Sequence, residues 1–329
     1  MEVGTASAAP DSIPEVDALA GRIRAHGADW VVTVGGGRVI DAAKAARLRA
    51  VRPDAPISGP LPLLDLPEPL PIRLAAVPTT SGSGAESTGV VDLVAADGAP
   101  VEVAHRALAP EWAFIDPTFA AALPPDVAVD GALETATQAL EAYLSAWSNP
   151  FSDALATDAF TTVLSRLPHA LRWSDDPDAR AALHYAASAA GLAASNAQRG
   201  VGHALARALV APTGLSYGRL CAILLPYLLE FDRPAARDRL ESIAAAVARG
   251  ETGPRPTLPA RVDRLYENFR VPRSLAAAGV PPDRVDSHRS AIVAHTLRSP
   301  AVLANPRVPS ARDLELLLDV VRAPGGGAR

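Results

Sequence analysis

Three consecutive glycines, Gly35, Gly36 and Gly37, follow the apolar run Val31, Val32 and Val34 and precede Val39, Ala42 and Ala43, which are spaced as one helix face. A strand, a glycine turn and a helix in that order build an anion site. The glycines let the backbone approach a guest closely, and the first N–H groups of the helix point at it. A pyrophosphate is the expected guest; a plain tight turn in an α/β protein is the bland alternative. A second loop of small and hydroxyl-bearing residues, TTSGSGAEST at 79–88, stands directly after the short apolar segment 74–78. Two such loops, each after a buried strand, fall at the same end of a parallel sheet, where α/β proteins bind ligands.

The elements that must carry these loops follow from local pattern. Ser12 caps a helix, Pro14 suits its first turn, Glu15 opposes its dipole, and Val16, Leu19, Ala20 and Ile23 form its apolar stripe as far as Gly27. The loop helix is expected over 39–49, followed by a proline-rich surface loop over 52–71. Residues 90–94 and 101–104 flank an Asp97-Gly98 turn and read as a hairpin, and 112–115 reads as a strand ended by Asp116-Pro117. From Pro124 the pattern is helical, over 126–146, 152–167, 179–198, 200–210, 218–231, 234–247, 259–268, 284–297 and 311–321. The chain therefore divides into an α/β domain, 1–117, and an all-helical domain, 118–329, with loose tails at 1–11 and 325–327.

Composition excludes several classes. Charged residues are 20% of the chain, the net charge is −5, and the 31 Lys and Arg are scattered, so neither a nucleic-acid nor a membrane surface is expected. Cys221 is the only cysteine, which rules out an internal disulfide and a thiolate cluster and suits a cytoplasmic setting. The first residues lack a basic region followed by an apolar run, and no window reaches the ~18 apolar residues of a membrane span.

GGGRVIDAAK at 35–44 resembles the GGGS-x-x-D-x-x-K loop of the iron-containing (group III) alcohol dehydrogenases, and PTTSGSGAE at 78–86 resembles their PTTAGTGSE segment. The likeness continues through WAFIDPTFAAALPP, ETATQALEAY, VGHALARAL, AILLP and Asn305-Pro306-Arg307, and covers roughly residues 15–322 in unbroken order. The resemblance implies a dehydroquinate synthase-like fold: a truncated Rossmann-like parallel sheet in an α/β nucleotide-binding domain, then an all-α domain. Hydride transfer with NAD or NADP is implied in the cleft between them. It assigns the cofactor pyrophosphate to Gly35, Gly36, Gly37 and Asp41, with Lys44 also matching, and the rest of the cofactor cleft to Thr79, Thr80, Ser81, Gly82 and Ser83. Arg38 stands where the family has serine, either adding a charge-assisted bond to phosphate or lying solvated on the first helical turn.

Two departures from the family are expected to matter. The family has a further strand–helix–strand–helix portion ahead of the helix that here starts at Ser12, and these residues hold no counterpart of it. A sheet edge or face is then left bare, which calls for a second copy of the chain or a partner protein. The four positions aligned with the family's metal ligands are Glu134, Gln138, His203 and Tyr217, and a histidine linked to proton relay becomes Arg207. An amide and a phenol are poor ligands, so no divalent metal is expected; any metal would sit on those four residues. They read instead as a polar catalytic site: His203 and Tyr217 as candidate bases, Arg207 as a bidentate partner for a substrate carboxylate, Glu134 and Gln138 completing the pocket. The expected reaction is NAD(P)-linked oxidation of a hydroxyl or its reverse, on a small molecule or a peptide. One finer reading is oxidative decarboxylation of a β-hydroxy acid, by resemblance to short, metal-altered members that act on a C-terminal threonine in daptide-type peptides. A metal-dependent small-alcohol or aldehyde reductase and an inactive scaffold subunit stay as alternatives.

Overall fold

The computed structural model describes residues 12–55, 57, 66–95, 99–173, 176–250, 252 and 255–322. Helix α1 (Ile13–His26) starts at Ser12, whose backbone N–H donates to Glu15 at 3.2 Å, and ends at Gly27 in the left-handed region. Strand β1 (Trp30–Gly35) leads into α2 (Gly37–Val51), which begins two residues earlier than its apolar period because glycine serves as its cap. Strand β2 (Arg73–Pro78) pairs parallel with β1 from Trp30↔Arg73 to Gly35↔Pro78, and the two-residue β5 (Trp112–Ala113) pairs parallel with β2 on its other side. The expected strand over 112–115 is cut short because Asp116 accepts from Thr118 and turns the chain into a short 3-10 helix, Pro117–Ala120. Strands β3 (Val90–Val94) and β4 (Pro100–Ala104) form a separate antiparallel ribbon. The Asp97-Gly98 turn, both tails and much of the 52–71 loop lie outside the described residues.

Helices α1 and α2 and the β3–β4 ribbon share one core, built from Val16, Ala20, Ala45, Leu48, Val91, Leu93, Val101 and Val103. From this core α2 packs against β1 and β2 and covers one face of the sheet. On the other face, Trp30, Val32 and Val34 of β1 and Trp112 and Phe114 beside β2 stand exposed, Val32 by 66% and Phe114 by 53%. Parallel sheets ordinarily bury both faces.

The rest of the described chain is helical. The long α3 (Pro125–Leu144), α4 (Pro150–Pro168) and α5 (Pro177–Ala197) pack around an Ala- and Leu-rich core. A second core joins α6 (Val201–Thr213) to α7 (Tyr217–Val247) and to the terminal helices. The two helices expected at 218–231 and 234–247 are both present, joined end to end in α7 across a kink at Ala236 (φ −132°), two residues after Pro234. Conversely, the helix expected over 284–297 is two, α9 (Pro282–Asp286) and α10 (Arg289–Arg298), parted at Ser287 and His288. Helices α8 (Leu258–Phe269), α11 (Ala301–Ala304) and α12 (Ala311–Arg322) complete the set. Among the described residues no helix is long and apolar enough to cross a membrane.

Candidate functional site

A cavity of about 750 Å³ brings the glycine loop and the helical half together. Its walls include Gly36, Gly37, Arg38 and Asp41 from α2, Thr80, Gly82 and Ser83 from the second loop, Glu134 from α3, and Arg199, Arg207 and Tyr217 from the helical half. The two loops touch: the Thr79 N–H donates to the Gly35 carbonyl at 3.0 Å, and a Cβ on Gly37 would come within 2.5 Å of Ser83 Oγ. Glycine is needed there because the loops close on each other, not because of its φ. No side chain caps α2 at Gly36, so the positive end of its dipole faces the cavity, as phosphate binding requires. Gly35 and Thr79 form the joint behind the wall and do not line it.

The second loop is tied down from behind by helices. Thr135 Oγ1 donates to the Gly82 carbonyl at 3.1 Å, Gln138 Nε2 to the Ser83 carbonyl at 3.2 Å, and Ser81 Oγ bonds His184 Nδ1 at 3.0 Å. Gly84 takes the left-handed conformation (φ +62°) and packs against the backbone of Gly191 on α5, where a Cβ would strike at 2.8 Å.

The structure corrects several residue assignments. Gln138 does not reach the cavity, because its amide is spent on the loop backbone. Asp41 lines the cavity, but one carboxylate oxygen takes Lys44 at 3.0 Å and the other the Asp92 N–H at 3.2 Å. Lys44 also reaches the Val90 carbonyl at 2.8 Å, so the Asp41–Lys44 pair braces α2 to the ribbon rather than holding a phosphate. His203 is fully buried behind the wall. Its Nδ1 meets the Glu141 carboxylate, whose Oε1 also accepts the Gly202 N–H at 2.5 Å. Burial holds the imidazole below its ordinary range and so neutral, while His203 and the α6 N–H groups hold Glu141 low against its own burial. Nε2 of His203 has no hydrogen-bond partner.

Tyr217 stacks edge-on with His203 at 5.8 Å and donates its hydroxyl to the His203 carbonyl at 3.3 Å. Burial raises the phenol well above 10, and the nearby arginines do not offset it. Tyr217 is therefore a proton donor at neutral pH and not the base that the sequence suggested. Arg207 does not offer a bidentate fork either: Nε pairs with Asp92 at 2.6 Å and Nη1 with Glu102 at 2.5 Å. Glu134 is one of four carboxyls in the cavity wall, and the other three, Asp41, Asp92 and Asp130, are ion-paired with Lys44, Arg207 and Arg219. Burial pushes Glu134 up to about 8, and its Oε2 is packed so closely that a Cβ on either Gly82 or Gly218 would lie 3.0 Å from it.

The four positions aligned with metal ligands offer an incomplete donor set for a divalent cation. The Gln138 amide is spent on the loop backbone and Tyr217 keeps its proton, which leaves the Glu134 carboxyl and the unpartnered Nε2 of His203, fewer than the three protein ligands of a catalytic metal site. Among the described residues no three His, Cys, Asp or Glu side chains are placed to hold a metal.

With this geometry in place, the comparisons with known proteins decide the family. The description of iron-containing alcohol dehydrogenases matches residues 7–117, and that of the C-terminal domain of Fe-containing alcohol dehydrogenases matches residues 128–321. The chain belongs to the iron-containing alcohol dehydrogenase family. It is 33% identical over 314 residues to the "Probable alcohol dehydrogenase EutG" of Salmonella typhimurium, covering 95% of this chain and 77% of that one. It is 27% identical over 306 residues to the NADPH-dependent butanol dehydrogenase of Clostridium saccharobutylicum, covering 89% and 76%. The solved iron-containing alcohol dehydrogenase of Thermococcus thioreducens superposes with a TM-score of 0.83 at 30% identity, covering 94% of this chain and 82% of that one. The protein is an oxidoreductase of this family, with the family's α/β sheet domain and helical domain.

The sequence missed Arg199. It matches no quoted motif, and its two partners, Asp92 and the cavity, come from elsewhere in the chain. A buried arginine between two helices in an Ala- and Leu-rich half was the one available signal.

Proposed function

We propose that the cavity is a hydride-transfer site for NAD or NADP and a hydroxyl or carbonyl substrate, with Glu134 as the acid–base group and no divalent metal in the step. The observation that carries this is a single cavity running from the uncapped start of α2, at Gly36 and Gly37, to the Glu134 carboxyl. The name of the NADPH-dependent butanol dehydrogenase supports a nicotinamide cofactor. The fit is in the cradle: Gly36, Gly37 and Thr80 line the cavity at the uncapped start of α2, and side chains on the two glycines would strike Thr80 and Ser83 and part the loops. When bound, the cofactor accepts or supplies the hydride.

In oxidation the carbinol C–H leaves as hydride and the O–H proton passes to the Glu134 carboxylate, leaving a carbonyl. In reduction the Glu134 acid returns that proton to the carbonyl oxygen. A carboxyl that titrates at about 8 is matched to both directions near neutral pH. Tyr217 lines the same cavity, its hydroxyl oriented by the His203 carbonyl. The finer reading is a β-hydroxy acid, such as the C-terminal threonine of a peptide. The β-oxo acid formed loses CO₂ as the C–C bond electrons pass to the adjacent carbonyl, and a proton from water completes the ketone.

The test is calorimetry and turnover on the purified protein. NAD⁺ or NADP⁺ binds the wild type, and Gly37→Val, which drives a side chain into Ser83, weakens binding tenfold or more. Exhaustive EDTA treatment leaves turnover of hydroxy acids and short diols unchanged. Activity lost to EDTA and restored by Fe²⁺ or Zn²⁺ overturns the metal-free step, and no binding of either nucleotide overturns the whole reading.

A further inference from the structure

Two guanidinium groups meet in the cavity wall with donors left over. Arg199 lies in the three-residue link between α5 and α6, just after Gln198, which adopts φ 71° and ψ 158°. That region is nearly confined to glycine, so the surrounding structure holds the link in it. The strained turn delivers Arg199 to Asp92 of β3, opposite Arg207 of α6. Asp92 holds both: Oδ1 takes Arg207 Nε at 2.6 Å and Oδ2 takes Arg199 Nη1 at 3.4 Å. Glu102 occupies Arg207 Nη1 and is itself fixed by Ser299 Oγ at 2.8 Å.

What remains buried and without a hydrogen-bond partner is Nη2 on each arginine, together with Arg207 Nε, which is ion-paired with Asp92 Oδ1 but not hydrogen-bonded to it. Both side chains are more than nine-tenths buried and both line the cavity that Glu134 and Tyr217 line. A charged donor left unpaired in a buried site carries a large desolvation cost, and an oxyanion meeting two of them removes it with two charge-assisted bonds. Asp92 and Glu102 keep the two like charges together, so the pair is preorganised before any guest arrives.

We propose that Arg199 and Arg207 form a carboxylate subsite, in which their two Nη2 groups take the acid group of a hydroxy acid or oxo acid while its carbinol or carbonyl carbon lies at Glu134. Arg199 is then the residue that selects acids over neutral alcohols. This rests on reading the cavity as a hydride-transfer site. It differs from a fork on Arg207 alone, because each arginine contributes one donor and the geometry between them decides what fits.

The experiment compares 3-hydroxybutyrate with its neutral counterpart 3-hydroxybutanamide. In wild type the acid is preferred by tenfold or more in kcat/KM with the better of NAD⁺ and NADP⁺. Arg199→Ala reduces that preference at least tenfold, through KM, and Arg199→Lys restores part of it. Arg199→Gln, which keeps a hydrogen-bonding side chain without the charge, behaves as the alanine variant. Without cofactor, 3-hydroxybutyrate raises the Tm of wild type and not of Arg199→Ala, and 3-hydroxybutanamide raises neither. Equal treatment of acid and amide by every variant means that water alone occupies the pair and overturns the subsite, while turnover itself leaves the hydride reading standing. Weaker NADP⁺ binding in Arg199→Ala with an unchanged acid preference assigns the pair to a cofactor phosphate and also overturns it. Acid-specific Tm protection with no turnover of either compound keeps the subsite and overturns the reaction.

Discussion

Glu141 holds His203 twice, through the imidazole Nδ1 and through the backbone N–H at 3.3 Å. The same carboxylate accepts the Gly202 N–H, and Asn305 Oδ1 accepts the Val201 N–H at 3.0 Å, so two side chains from outside α6 cap its start. Gly200 and Gly202 make room for them: a Cβ would lie 2.5 Å from Asn305 Oδ1 at Gly200 and 2.8 Å from Glu141 Oε1 at Gly202. The retained histidine of the motif is thus a packed, neutral anchor that positions Tyr217 through its carbonyl.

Glu141→Ala leaves that imidazole and two N–H groups buried without an acceptor, and a buried donor left unpaired costs about 1–3 kcal/mol. Glu141→Gln keeps acceptors for the N–H groups and loses less. Urea unfolding monitored by circular dichroism checks both. A Glu141→Ala loss below about 1 kcal/mol contradicts the capping role.

Glu134→Gln removes the proposed acid–base group while keeping its shape. Oxidation falls on the order of 10²-fold or more. In wild type the oxidation rate rises with pH through about 8, as the carboxylate forms, and the reduction rate falls through the same range. Steady-state rates from pH 6 to 10, with solvent-stable buffers, show whether the variant loses that limb. An unchanged limb in Glu134→Gln assigns the titration to another group.

The same shift makes a stability prediction of opposite sense to an ordinary salt-bridged acid. The folded state holds the Glu134 proton more tightly than the unfolded chain, whose glutamate titrates near 4.5. The stabilising contribution of the neutral form is therefore complete below about 4.5 and is lost as pH rises through about 8. Glu134→Gln melts above wild type at pH 9, and the difference narrows or reverses at pH 5. Parallel melting curves at the two pH values contradict the burial effect.

The exposed sheet face predicts association. Large side chains of the kind at Trp30, Val32, Val34, Trp112 and Phe114 cover roughly 150–250 Å² each for the aromatics, so half-exposed they present on the order of 500 Å² of apolar surface. That is the upper end of what a monomer leaves in water, and a patch that matches itself across a two-fold suits a second copy of the chain. Light scattering across a hundredfold dilution is expected to show a dimer, and Val32→Asp with Phe114→Asp to shift it to monomer. A compact wild-type monomer at every concentration rules this out.

Local chemistry made much of this protein readable in one dimension. The glycines at 35–37, the small residues at 79–84, the Ser12 cap and the helical periods after Pro124 act within a few residues of themselves, so their elements follow from sequence order. Motif order over most of the chain carried the family. Tertiary structure alone decided which side chains meet. Asp92, Glu102, Arg199 and Arg207 come from two strands and two parts of the helical half, and only packing joins them into one charged cluster. His203 and Glu134 each look like a plausible base in a list of residues. Burial behind the wall silences the histidine, and burial at the cavity rim lifts the glutamate into the working range, because a proton affinity belongs to an environment and not to a residue type.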